Sequence, residues 1–319
     1  MSRPVIVPIQ LGCCPPDGPR CDLCVPTEPP GAEVIAAWLD QEDPSAIPAF
    51  FGGRPPSDTD LASIGGRPFT VRVRPDLLSR ADARRLVDAG CTRVELDALS
   101  FDDLAVRSIG RTHRAALVHE IRAGVQALGM QAGVVLAVGL PGSDHHRAVE
   151  DAREAGDFDT ARLHPVLVLK GSALQEAHMD GSYEPLTVGQ AVTTCRAMLD
   201  ELEPRGVQVL RIGQNPGPDG LGWAVAGPRH SSLRELVEAR RALVTLTACV
   251  TPFEAGEHLI VRCAPADEGR ARGPYNQHIR TLRALGPFAS VDVRPDPSMQ
   301  RGRYEVAAIA PTDVLDPTT

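Results

Sequence analysis

Four cysteines are crowded into one segment near the start of the chain, residues 11–24, which reads LGCCPPDGPRCDLC. Cys14, Cys21 and Cys24 come shortly after the apolar stretch Pro4–Gln10, so three thiolates would leave the end of one predicted strand together. Three thiolates on a short loop can hold three irons of a [4Fe–4S] cluster and leave the fourth iron open to a substrate or cofactor. Zinc is the alternative, but these residues contain the only Cys-x2-Cys pair of the sequence, so a zinc site would need ligands from elsewhere.

Cys13 adjoins Cys14 and is an alternative ligand, but we favour Cys14 because Pro15 would turn the chain back towards Cys21. Eight cysteines in 319 residues are too sparse for a disulfide scaffold, and their grouping in one loop indicates metal binding in a reducing compartment. The other four stand alone in predicted elements and are expected to be small buried hydrophobes: Cys91, Cys195, Cys249 and Cys263.

Glycines and polar residues follow several predicted strands at the point where each strand ends. Gly52 and Gly53 follow the strand Ile47–Phe51, and the turn Gly139–Gly142, which contains Pro141, follows Ala132–Val138. Paired glycines at a strand end allow the backbone to approach a ligand without interference from a Cβ atom. Since the carboxyl ends of parallel strands meet at one edge, we expect these turns to lie beside the cysteine loop.

Charged side chains occupy the same kind of position. Glu95 and Asp97 end the fourth strand, with Ser100 just beyond, and Arg211 ends the last strand of this region. Lys170 is the only lysine beside 32 arginines, because 33 Lys and Arg minus one lysine leaves 32. A compact ammonium retained in such an arginine-biased chain indicates a site that needs one.

The elements that must position these residues alternate between strand and helix up to about residue 213. The predicted strands are Pro4–Gln10, Ile47–Phe51, Phe69–Val73, Arg93–Leu96, Ala132–Val138, Asp159–His164 and Val207–Ile212. The predicted helices are Gly31–Gln41, Ser79–Ala89, a segment from Phe101, Arg114–Leu128, His145–Ala155 and Leu186–Leu202. This alternation predicts an α/β fold with a parallel sheet, either a partial (β/α)6 TIM-like barrel or an open doubly wound sheet.

The pattern changes after a Gly/Pro-rich loop at Gln214–Gly227. We predict a helix at Ser232–Leu243 and strands at Val244–Val250 and His258–Cys263, followed by further short elements up to Ile309. The expected organisation is a core domain over residues 1–227 and a small α+β C-terminal subdomain over residues 228–319.

Composition restricts the class of function. The formal net charge of −8 argues against a strongly basic overall surface of the kind that binds nucleic acid. No apolar run is long enough to span a bilayer, and the sequence begins without a secretory signal pattern. We therefore expect a cytoplasmic protein with no membrane partner.

The order of motifs resembles the radical S-adenosylmethionine (SAM) domain of the Elongator catalytic-subunit family. The likeness is greater to the short bacterial Elongator-like proteins that lack an acetyltransferase domain, and it runs from about residue 4 to about residue 245. It rests on the cysteine loop followed by FFGG at 50–53, VELDALSFD at 94–102, GRTH at 110–113, VGLPG at 138–142, HPVLVLKG at 164–171, YEPL at 183–186 and LRIG at 210–213.

The resemblance implies a partial barrel with a [4Fe–4S] cluster on Cys14, Cys21 and Cys24 and with SAM on the open iron. One-electron reduction, with flavodoxin or ferredoxin as the donor, would cleave SAM to a 5′-deoxyadenosyl radical that acts on an unknown substrate, for which tRNA is a candidate. The implied cofactor-binding residues are Gly52 and Gly53 for the methionine amino group, Glu95, Ser100 and Arg111 for ribose or carboxylate, and Gly139, Pro141 and Gly142 for adenine. Lys170 matches the family's basic position after strand six and is the candidate catalytic residue.

Two features depart from the family's common pattern. Six residues separate Cys14 from Cys21, where three are usual, and Arg54 follows the double glycine, where Thr or Glu is usual. They motivate a second hypothesis, a non-catalytic SAM- or metal-binding protein on a degenerate scaffold. A zinc-stabilised RNA-binding module is a third.

Overall fold

The structure is a computed structural model that describes residues 5–11, 21–24, 28–214 and 223–309. Cys14 and its neighbour Cys13 lie outside the described residues. The chain divides into two compact units, residues 1–231 and residues 232–319.

The first unit is built on a sheet of seven parallel strands that curls into a half-barrel. Its spatial order follows the chain, β1-β2-β3-β4-β5-β6-β8, and a separate antiparallel pair, β7 and β9, lies outside it. The strands are β1 (Ile6–Gln10), β2 (Ile47–Phe51), β3 (Phe69–Val73), β4 (Cys91–Leu99), β5 (Gln131–Val138), β6 (Thr160–Pro165), β7 (Val168–Leu169), β8 (Gln208–Ile212) and β9 (Ala224–Ala226). The predicted α/β fold and partial barrel are confirmed, and the open doubly wound alternative is not what forms.

Eight helices of the first unit connect these strands within the described segments. They are α1 (Ala32–Leu39), α2 (Asp58–Ala62), α3 (Arg80–Asp88), α4 (Asp103–Ser108), α5 (Ala115–Ala127), α6 (His145–Glu154), α7 (Ala173–Met179) and α8 (Val188–Leu202). Ser79 caps α3, because its hydroxyl accepts the Asp82 backbone N–H while the Asp82 carboxylate accepts the Ser79 backbone N–H in return. The short helices α2 and α7 are additions that the sequence pattern did not reveal.

Side chains on the barrel strands separate into two chemically different faces. On β4, Val94 and Leu96 are fully buried and alternate with Arg93, Glu95 and Asp97, as the two-residue period of a strand requires. The charged set belongs to the face that meets other strands across the barrel, since a side chain of β3, Arg72, contacts Asp97 of β4 and His164 of β6. The interior of this half-barrel is therefore largely a network of charged groups.

The second unit is a three-stranded sheet with helices. It contains α9 (Leu233–Val250), β10 (His258–Cys263), α10 (Glu268–Arg272), α11 (Gln277–Leu285), β11 (Ser290–Pro295) and β12 (Tyr304–Ile309). Strand β10 is central, parallel to β11 and antiparallel to β12, and the core includes Leu246, Leu259 and Leu282. This is the α+β arrangement expected for the tail.

One predicted strand of this region is wrong. Residues 244–250 were expected to form a strand because they are rich in β-branched side chains, but they are the last two turns of α9. The buried positions Ala239, Ala242, Leu246 and Val250 recur at helical spacing, so packing of one helix face outweighs local strand propensity. Among the described helices, none is long and apolar enough to cross a membrane.

Candidate functional site

A cavity of about 620 Å³ opens within the first unit, at the carboxyl ends of the barrel strands. Its volume lies within the range of about 300–1,000 Å³ that is common for small-molecule sites. Each of the seven barrel strands contributes to its wall, for example through Gln10, Phe51, Arg72, Asp97, Ala137, His164 and Arg211. The cavity is thus a product of the whole half-barrel.

Two of the predicted metal ligands lie at this cavity. The sulfur atoms of Cys21 and Cys24 are 3.1 Å apart, Cys21 is buried, and Cys24 lines the cavity beside Leu23. Cys24 is disulfide-bonded in this structure, so its sulfur is available to a metal after reduction to the thiolate. The third predicted ligand, Cys14, is outside the described residues.

The double glycine follows β2 and faces the same space. Gly52 lines the cavity, its N–H donates to Arg72 O at 3.2 Å, and Gly53 O accepts from Arg74 N at 3.1 Å. Arg54, the unusual residue after them, forms an ion pair with Asp60 of α2 at 3.2 Å and is not part of the cavity wall. The side chain of Arg54 is therefore held away from the strand ends.

Asp97 links two arginines in the cavity wall. Arg72 Nε donates to Asp97 Oδ1 at 3.1 Å, a second bond joins Arg72 Nη2 to the same oxygen, and Arg111 Nη2 donates to Asp97 Oδ2 at 3.0 Å. Burial by itself would raise the pKa of Asp97, but the two guanidiniums outweigh it and hold this pKa well below its usual range. Asp97 is consequently ionised at every physiological pH.

Glu95 holds a second pair of arginines behind the cavity wall. It accepts from Arg93 Nε at 3.1 Å and from Arg162 through two bonds, Nε to Oε2 at 2.5 Å and Nη2 to Oε1 at 3.1 Å. Glu95 is 2% exposed, and Gly133 on β5 makes room for it, since a Cβ there would lie 2.9 Å from Glu95 Cγ. Arg162 itself reaches the cavity.

Three further polar side chains line the cavity: His164, Arg211 and Lys170. His164 is 9% exposed, and burial together with the neighbouring Arg72 and Arg162 holds its pKa well below its usual range, so the ring is neutral. Arg211 donates to the carbonyl oxygens of Gly213 and Gln214, at 3.3 Å and 2.9 Å. Lys170 is exposed at the rim.

Several predicted cofactor-binding residues lie outside the cavity wall as this structure forms it. The Ser100 hydroxyl donates to Asp151 Oδ2 on α6 at 2.7 Å. Gly139 has φ of 87°, accepts from the Tyr183 hydroxyl at 2.7 Å, and packs so closely on Leu186 that an added Cβ would lie 2.8 Å from its Cδ1 atom. The same turn continues through Pro141, which accepts from the Ser108 hydroxyl, to Gly142, which has φ of 75°.

Comparison with known proteins places this geometry in context. The Radical_SAM C-terminal domain family matches residues 158–243. The chain is 26% identical over 184 residues to the tRNA uridine(34) acetyltransferase of Dehalococcoides mccartyi, covering 56% of this chain and 40% of that protein. It is 28% identical over 181 residues to Elongator complex protein 3 of Drosophila melanogaster, covering 54% of this chain and 31% of that protein. The chain is therefore similar to Elongator-type radical SAM proteins over part of its length.

Solved structures support the fold of this chain. The archaeal Methanocaldococcus infernus Elp3 with an N-terminal deletion superposes with a TM-score of 0.60 at 18% identity, covering 76% of this chain and 63% of that one. Methylornithine synthase (PylB) superposes with a TM-score of 0.50 at 12% identity, covering 68% of this chain and 73% of that one. The chain spans less than half the length of the two curated relatives described above.

The residues at the cavity include groups of the kinds that an iron–sulfur cluster and SAM require as ligands. Thiolates are the ligands that iron–sulfur clusters require, and Cys21 and Cys24 would supply two of them beside the cavity once Cys24 is reduced. The adjoining wall offers the backbone at Gly52 and the cation of Arg111, which are suited to polar groups of an amino acid such as the methionine moiety of SAM. The residues present therefore fit a cluster with a small charged ligand beside it.

Sequence reasoning missed Arg72, Arg162 and His164. A signal was available, because Arg72 interrupts the buried strand FTVRV, and Arg162 and His164 alternate with apolar residues in TARLHP. A charge inside a strand that is covered on both faces must point into a shared interior. Leu99 was also missed: it lines the cavity with φ of 68°, a conformation rare for such a residue and found chiefly where the surroundings enforce it.

Proposed function

We propose that this protein is a radical SAM enzyme whose [4Fe–4S] cluster is held by Cys14, Cys21 and Cys24. When bound, the cluster and SAM would supply, upon one-electron reduction, a 5′-deoxyadenosyl radical that abstracts hydrogen from a substrate. The observation that carries the proposal is the Cys21–Cys24 sulfur pair at the mouth of a cavity to which every barrel strand contributes.

The chain's own residues would bind and orient the cofactor. Gly52 and Gly53 would leave backbone groups open to the methionine amino group, and Arg111, anchored on Asp97, would face its carboxylate. Glu95 would not contact SAM directly in this arrangement, since its carboxylate is enclosed by Arg93 and Arg162, and it would instead hold these arginines in position.

The turn after β5 would shape the adenine side of the site. Gly139, Pro141 and Gly142 would flank the base, and the bond from the Tyr183 hydroxyl to Gly139 O would hold the turn in place. Ser100 would contribute by fixing the end of β4 on Asp151. Lys170 would contact SAM or substrate from the rim of the cavity.

The substrate and the electron donor belong to the same proposal. One relative is named a tRNA uridine(34) acetyltransferase, which supports tRNA as a candidate substrate, although this chain spans 40% of that protein. Flavodoxin or ferredoxin would supply the electron.

The test uses anaerobically purified and reconstituted protein, in which iron, sulfide and 5′-deoxyadenosine released after dithionite are measured. We expect four irons and SAM cleavage in the parent, and loss of both in Cys21→Ala. The matched control is Cys249→Ala, a half-buried free cysteine of the second unit, which should leave iron content unchanged. A cluster without cleavage would favour the non-catalytic SAM-binding alternative, and zinc or no metal would overturn the assignment.

A further inference from the structure

The charges in the cavity wall do not balance. Among the described residues of the wall, the basic side chains are Arg72, Arg111, Arg162, Arg211 and Lys170, and the acidic one is Asp97. Glu95, behind the wall, adds one carboxylate but also binds Arg93 as well as Arg162. The cavity is thus cationic in a chain whose formal net charge is −8, and so the excess is local rather than a consequence of composition.

The excess is concentrated where β6 meets β8. Arg162 and Arg211 are directly paired in the register of these strands, so two guanidiniums project from neighbouring positions. Among the described residues Arg211 has no carboxylate partner, and its guanidinium donates hydrogen bonds to carbonyl oxygens. Burial and the nearby Arg162 guanidinium both lower the pKa of Arg211. An anion between the two would relieve this repulsion.

His164, two residues beyond Arg162 on β6, adds a donor of defined direction. A guanidinium can only donate, so the 3.4 Å contact between Arg72 Nη1 and His164 Nδ1 makes Nδ1 the acceptor. A neutral ring then carries its proton on Nε2, and Nε2 is buried with no hydrogen-bond partner among the residues that the structure describes. A buried donor left without an acceptor is costly, which indicates that a ligand oxygen belongs there.

We propose that Arg162, Arg211 and His164 form an oxyanion site on the β6–β8 side of the cavity, which takes a phosphate or carboxylate group of the molecule being modified. The identification of that molecule as substrate rests on the proposed function, whereas the oxyanion site itself does not. Its cations match oxyanion geometry, since a guanidinium can offer two parallel N–H groups.

This site is separate from the place expected for SAM. The cysteine loop and Gly52 follow β1 and β2, at one end of the strand order, whereas Arg162 and Arg211 lie on the last two strands at the other end. Arg72 on β3 and Asp97 on β4 stand between them in that order, and Arg111 binds Asp97. The two ends can therefore bind two different groups at once.

The test measures binding of inorganic phosphate by calorimetry to the full chain without cluster, at low ionic strength, with acetate as the carboxylate probe. We expect one saturable site and binding at least about tenfold weaker in Arg211→Gln, because a charge-assisted hydrogen-bond donor is lost. Arg84→Gln is the matched control, since Arg84 is an exposed arginine outside the cavity and should bind as the parent does. Tighter binding of phosphate than of acetate would identify a phosphorylated molecule, and the reverse order a carboxylate.

A second variant keeps the test decisive if Arg211→Gln does not fold by circular dichroism. His164→Phe retains a ring and removes the donor, and weaker phosphate binding is again expected. Absence of saturable binding of either anion, or equal affinities in the Arg84 and cavity variants, would overturn the proposal. So would displacement of phosphate by SAM in competition, which would assign the cations to the cofactor. Because no cluster is needed, failure of SAM cleavage would leave this result standing, and the converse also holds.

Discussion

The two ends of the half-barrel are built from different chemical groups. At the β1–β2 end, the site consists of sulfur atoms and glycine backbone. These groups would form a charged site only once a metal and its ligand are bound. At the β6–β8 end, the guanidiniums are already oriented by Glu95 and by carbonyl oxygens, and the imidazole of His164 contacts Arg72. One end is completed by what it binds, and the other is preorganised before binding.

This difference predicts in which region a substitution should change the free energy of unfolding. Substitutions in the ion-pair network should weaken the fold, because they leave buried charges without partners. Substitutions beside the double glycine should leave the fold intact. The following predictions test this contrast, starting with the largest effect.

Asp97→Asn should lower the free energy of unfolding by about 3–5 kcal/mol, because it leaves the buried guanidinium of Arg111 and the partly buried one of Arg72 without their shared carboxylate. Denaturant unfolding measures the change. Asp200→Asn is the control, because Asp200 lies on α8 with its side chain 39% exposed and pairs with Arg196 there. We expect the control to cost under about 1 kcal/mol. Equal losses of unfolding free energy in the two variants would contradict this prediction.

His164 should make stability depend on pH. Burial, reinforced by Arg72, Arg162 and Arg211 and opposed only by Asp97, holds its folded-state pKa well below the ordinary value of 6.5. The unfolded chain therefore takes up this proton first, so the free energy of unfolding should fall as pH drops below 6.5.

The expected slope is up to about 1.4 kcal/mol per pH unit for each such histidine. His113, whose pKa is also lowered by burial, should contribute a further part. His164→Gln should reduce the slope by up to one proton, measured by denaturant unfolding at a series of pH values. An unchanged slope would show that the ring is not held neutral.

Arg54→Ala should have the smallest effect. The Arg54–Asp60 ion pair is partly exposed, so its loss should change the free energy of unfolding by less than about 1 kcal/mol. Iron content after reconstitution should match that of the parent, because this side chain turns away from the cavity. Loss of iron binding would show that the departure from the family pattern after Gly53 matters.

The strand framework could be predicted from the sequence. The contacts between charged side chains inside the half-barrel could not. Ile47–Phe51 and Phe69–Val73 have the predicted bounds, because short apolar runs that end in glycine or a turn are diagnostic of buried strands. Arg72 and His164, however, are 92 residues apart, and no local pattern indicates that they meet. Their contact depends on the curl of the sheet, which is a property of the assembled strands.

Other differences have local causes. In α9, the β-branched residues of 244–250 favoured a strand prediction, because the sequence alone did not show that one face of a helix packs there. At Leu99 the positive φ is imposed where the β4–β5 register shifts, and nothing about a leucine predicts it. The roles assigned to Ser100 and to the Gly139–Gly142 turn stay predictions.

The scarcity of lysine has a practical consequence. Lys170 carries the only side-chain amine in the sequence, and it stands exposed at the rim of the cavity. An amine-selective fluorophore or crosslinker would therefore mark one side chain, at the entrance to the proposed site. The protein contains its own attachment point for a reporter of ligand entry, without any engineered residue.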